Sequence, residues 1–142
     1  MKHNNLKTKE REKMADTDLG QFYQSGDWKK EKHVPVIEAP ESVAADTPFA
    51  VTLSIGKEIP HPNTTEHHIR WIKLYFQPEG EKFLYEAGIG EFSVHGEAVS
   101  GANEGPAYTE PFLTLHLKIN KPGTLIATSY CNIHGLWENA QP

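Results

Sequence analysis

Apolar residues in this chain recur at every second position, in short runs bounded by turn residues, and nowhere keep the period of a long amphipathic helix. Residues 48–55 put Val51, Leu53 and Ile55 on one face. Residues 68–76 put Ile72, Leu74 and Phe76 together, with Ile69, Trp71 and Tyr75 opposite. The clearest row is Leu113, Leu115, Leu117 and Ile119 in 112–119, and shorter runs occupy 33–38, 89–95 and 124–130. Side chains of a strand alternate between its two faces, so each run suits a strand with one face buried. Pro78-Glu79-Gly80, Gly101-Ala102-Asn103 and Lys121-Pro122-Gly123 supply turns between them. Six or seven such strands predict an all-β chain: an immunoglobulin-like antiparallel β-sandwich in a single domain.

The length of 142 residues, with 37% hydrophobic content, supports one core. No apolar run approaches the roughly 20 residues that span a bilayer. The basic N-terminus has no apolar stretch behind it, so it does not read as a secretory signal, and a cytoplasmic protein is expected. Residues 1–13 hold five basic and two acidic side chains, a charge of +3 within a net −5, which leaves the remainder at −8. An acidic body of this kind argues against nucleic acid or an anionic membrane as partner. Residues 1–24 are expected to form a flexible polar extension, with Met14 as an alternative start, and 25–142 the folded domain.

The chemistry concentrates in three segments. Cys131 is the single cysteine, which excludes an intrachain disulfide and a Cys-x-x-Cys knuckle. It opens Cys131-Asn132-Ile133-His134-Gly135, where a Cys-x-x-His step brings a thiolate and an imidazole to one metal. In the second segment, prolines flank His61 on both sides and restrict its backbone, and His67 and His68 follow at the start of a strand. Alternation sends those two rings to opposite faces, so only one of them can serve the same site. The third segment, Glu31-Lys32-His33-Val34-Pro35, brings another histidine into a strand beside a proline. Of the other histidines, His3 lies in the tail, and His95 and His116 are expected to be structural or surface residues within strands.

Glu31-Lys32-His33-Val34-Pro35, Pro60-His61-Pro62, His67 with Ile69 and Trp71, and the Cys131–Gly135 segment together resemble superoxide reductases of the one-iron, neelaredoxin type, over roughly residues 25–139. The resemblance implies one mononuclear iron per chain, with equatorial imidazoles from His33, His61, His67 and His134 and an axial thiolate from Cys131. It places the family's loop glutamate and lysine on Glu31 and Lys32, the first closing the sixth position on ferric iron, the second supplying positive charge beside the open site. It implies one-electron reduction of superoxide to hydrogen peroxide, rubredoxin as electron donor, and a homotetramer. The cysteine-rich iron domain of desulfoferrodoxins is absent, since one cysteine cannot build it. The rival readings are weaker. A cupredoxin-like electron carrier needs two histidines and usually an axial methionine, yet the methionines are Met1 and Met14. A structural zinc site closes at four ligands, and five are offered here. A purely adhesive immunoglobulin-like domain leaves the histidine segments unexplained.

Overall fold

A computed structural model describes residues 18–142. Its seven strands are Val36–Glu38 (β1), Phe49–Ser54 (β2), Ile69–Pro78 (β3), Tyr85–Glu91 (β4), Phe112–Leu117 (β5), Gly123–Cys131 (β6) and Gly135–Gln141 (β7). They form a three-stranded sheet ordered β1-β2-β5 and a four-stranded sheet ordered β4-β3-β6-β7, antiparallel throughout. The two sheets form a β-sandwich, all-β as the alternating runs predict.

The core lies between the sheets. Val51 and Leu53 of β2, Ile72 and Leu74 of β3, and Leu125 and Ala127 of β6 are buried there, with Leu113, Leu115 and Leu117 packed against them. The predicted Leu113–Leu117 row therefore faces inward, while His116 between its members is exposed.

Three details differ from the alternation. Alternation puts Ile69 opposite Ile72 and Leu74, yet all three are buried in one cluster. The β3–β6 register shifts between Ile69 and Trp71, and that irregularity turns Ile69 inward. The fourth strand, expected over 89–95, runs Tyr85–Glu91. Its inward positions are Gly88 and Gly90, where a β-carbon would stand 2.6 Å and 3.0 Å from the methyls of Leu115 and Leu113. Glycines that make room for leucines leave no apolar signal of their own. Beyond Glu91, His95 contributes only an isolated bridge to Tyr108. The third difference is β7, which was not foreseen: its central buried apolar side chain is Trp137, and the rest of the strand shows no alternation.

Residues 1–17 of the expected N-terminal extension lie outside the described residues. Within the remainder, Leu19–Phe22 forms a 3-10 turn capped by Asp18, and Gln24 pairs with Trp137. Gln24 accepts from Glu138 N–H and donates its own N–H to Leu136, so hydrogen bonding to the body begins at Gln24, one residue before the expected boundary.

Candidate metal centre

The antiparallel register brings the start of β1, the β2–β3 connection and the β6–β7 hairpin to one end of the sandwich, because Val36 pairs with Ser54 and Ile69 with Cys131. His33 precedes β1, His61 and His67 stand on the β2–β3 connection, and Cys131 ends β6. One donor atom from each of these four lies within 4.8 Å of all the others. His134 joins them with Nδ1 at 3.1 Å from His33 Nε2 and 3.8 Å from Cys131 Sγ. The hairpin that presents it is a three-residue loop between the partners Cys131 and Gly135, and Gly135 takes the positive φ of 79° that such a loop requires.

Hydrogen bonds assign which nitrogen faces inward in two of the rings. His61 Nδ1 lies 2.6 Å from the Pro62 carbonyl, which only accepts, so Nδ1 carries the proton and Nε2 is left as a bare donor 3.6 Å from Cys131 Sγ. His33 Nδ1 lies 2.7 Å from a Glu31 carboxylate oxygen, and the same reasoning turns its Nε2 inward. The His33 ring also stacks on Trp137, with centroids 4.7 Å apart and planes 13° from parallel. His67 Nε2 is buried with no partner in the protein. A buried nitrogen without a hydrogen bond is costly unless something else takes its lone pair. Backbone N–H of His134 points at Cys131 Sγ from 3.4 Å. Four imidazoles and a thiolate form a nitrogen–sulfur set of the kind that first-row transition metals prefer, and the unpartnered His67 nitrogen fits that use.

Electrostatics favour the neutral, ligating form of two of the rings, His61 and His67. Burial, and then the neighbouring His33 and His67, push His61 down to about 4. Burial also lowers His67, helped by His134 and His33. The charge of Lys32 acts in the same direction on both rings. The Glu31 carboxyl is held below its usual range mainly by its hydrogen bond with His33.

Residues 25–140 match the family described as Desulfoferrodoxin. The chain belongs to the desulfoferrodoxin family. Neelaredoxin of Megalodesulfovibrio gigas is 62% identical over 120 residues, covering 84% of this chain and 92% of that protein. Superoxide reductase of Pyrococcus furiosus is 57% identical over 121 residues, covering 85% of this chain and 95% of that one. The reduced superoxide reductase (neelaredoxin) of Archaeoglobus fulgidus superposes with a TM-score of 0.78 at 55% identity, over 84% of this chain and 96% of that one.

Within this desulfoferrodoxin-family fold, the structure gathers His33, His61, His67, Cys131 and His134 at one point. Glu31 stands one step further out: its oxygen accepts from His33 N–H at 3.1 Å as well as meeting the ring, and it is not one of the converging donors. β3 begins only at Ile69, so His67 and His68 stand on the connection and not at the start of a strand as expected; His68 nevertheless turns away and stacks on His95 with centroids 3.5 Å apart. His95, expected at most half-buried, is 3% exposed because that stack and the bound Glu97 carboxylate enclose it. Three supporting residues carried no sequence signal. Trp137 lies on the unforeseen β7, Gln24 donates its side-chain amide to the His134 carbonyl, and Asn132 bonds across to the β2–β3 connection.

Proposed function

We infer that this chain is a superoxide reductase whose metal is one mononuclear iron held by His33, His61, His67, His134 and Cys131. The observation that carries the reading is the convergence of imidazole nitrogens on the buried Cys131 sulfur, with His67 Nε2 left unpartnered. Iron bound there supplies a one-electron couple and a Lewis-acid position open to a small anion. Superoxide, one electron and two protons then give hydrogen peroxide.

The chain's own groups divide the remaining work. Lys32 offers positive charge to an incoming anion on an otherwise acidic molecule, and it can order the water that delivers a proton. Cys131, which receives the His134 backbone N–H, would make the site electron-rich as a thiolate ligand. Glu31 orients His33 through its Nδ1, a carboxylate–histidine arrangement that fixes the tautomer and strengthens the ring as a donor. Were iron bound and oxidised, the same carboxylate would serve as a further ligand, as the family resemblance implies. The family resemblance also supports rubredoxin as electron donor, a homotetramer and a cytoplasmic location. No helix among the described residues is long and apolar enough to cross a membrane. The test is stoichiometric: iron-loaded, reduced protein given superoxide yields one peroxide per superoxide and no oxygen. Oxygen release in the ratio of a dismutase would overturn the reading.

A further inference from the structure

We propose that Asn132 is a positioning residue of the metal centre: its side-chain amide sets where His67 stands relative to Cys131 and His134. The proposal rests on the metal-binding reading of the cluster.

His67 reaches the cluster from a connection, with no strand beneath it. The β3–β6 ladder pairs Ile69 with Cys131 and is already irregular there, so it stops two residues short of His67. Within its own loop, His67 donates N–H to Thr64 Oγ1 at 3.0 Å and accepts at its carbonyl from Thr64 N–H at 2.9 Å. Those bonds set the loop's shape, yet they cannot set its place, because both partners move together.

Asn132 ties this loop to the cysteine segment, while Thr65 and Asn63 hold its far side through the His95 and Thr109 carbonyls. Asn132 Oδ1 accepts from His68 N–H at 2.8 Å, and its Nδ2 donates to the Glu66 carbonyl at 2.9 Å. These groups belong to the two peptide units on either side of His67, so one planar amide holds both. The backbone N–H of Asn132 adds a bond to the His68 carbonyl at 3.2 Å. Asn132 follows Cys131 directly and lies two residues before His134, so the clamp joins two ligand-bearing segments. Asn103 also holds the loop's far side by accepting from Thr65 N–H at 2.8 Å, but its own segment carries no donor to the cluster. The task at 132 needs a donor and an acceptor on one short side chain. Leucine has the size and neither function, and aspartate would set a second acceptor against the Glu66 carbonyl.

The experiment loads the full chain with ferrous iron anaerobically and follows its transfer to a colorimetric chelator. Groups that orient ligands from behind typically change metal affinity by roughly 10–100-fold. Asn132→Leu is expected to release iron faster by that order. In a His67→Ala background the acceleration should shrink to the roughly twofold scatter of independent changes, since the clamp then has no ring to place. Calorimetry of the metal-free proteins checks folding, and Asn132→Ser is read the same way where the leucine variant does not fold. A wild-type release rate in these variants, or equal acceleration with and without His67, overturns the clamp. Wild-type protein that takes up no ferrous iron overturns the metal reading itself, and the clamp with it.

Discussion

Acidifying the metal-free protein should destabilise it through His61. Burial holds this ring down to about 4, against an ordinary 6.5, while its Nδ1–H is donated to the Pro62 carbonyl. As pH falls, the unfolded chain therefore takes up this proton first, and between 6.5 and 4 the unfolded state binds more protons than the native one. Stability attached to His61 is full above 6.5, declines across that window, and is lost once pH passes below 4. At 1.36 kcal/mol per pKa unit, the loss between pH 7 and pH 4.5 comes to about 2–3 kcal/mol. His67 and His95 are also lowered, by burial first, and steepen the same slope. Glu31 is lowered too, but its loss begins only below its ordinary 4.5. Denaturant unfolding of the metal-free chain at several pH values measures the total, and a His61→Gln variant isolates the share of His61. The parent should lose about 2–3 kcal/mol more than the variant between pH 7 and pH 4.5. Equal losses would refute the claim that His61 is kept neutral by the fold.

Cys131→Ser is expected to abolish the thiolate-to-iron charge-transfer band and nearly all superoxide reduction, because a serine hydroxyl is a harder and far less acidic donor; absorption spectra and turnover check it. His67→Ala should lower iron occupancy, whereas His68→Ala should leave it near wild type, since His68 stacks on His95 away from the cluster; metal content per chain reads the difference. Lys32→Ala should slow the second-order reaction with superoxide by about tenfold and flatten its salt dependence, measured by pulse radiolysis. Glu31→Ala should change the spectrum of the oxidised protein and weaken iron binding by roughly tenfold, as loss of the His33 partner requires.

The sandwich was legible wherever one face of a strand is apolar, as in Leu113, Leu115 and Leu117, because burial writes itself in period two. It was illegible where packing uses an absence: Gly88 and Gly90 accept the leucines of the facing sheet with no side chain of their own. The irregular register at Ile69 also escaped, since a strand pattern carries no mark of where its ladder slips. Of the cluster, the histidines and cysteine stood out because prolines and the Cys-x-x-His step bracket them. The hydrogen bonds around them did not. Glu31 stood out beside His33, but nothing in the motif marks its hydrogen bond to that ring. Asn132, inside the cysteine segment, drew no notice because amides are common in turns. Trp137 was hidden on a strand with little alternation, although the His134-Gly135 step marks the tight hairpin that produces it.

Metal analysis joined to an electron paramagnetic resonance spectrum of the oxidised protein tests the central claim most directly. Four imidazoles and one thiolate should hold one iron per chain and show a high-spin ferric signal that Cys131→Ser loses or shifts. A cupric signal, or a full complement of zinc with no redox response, would contradict it.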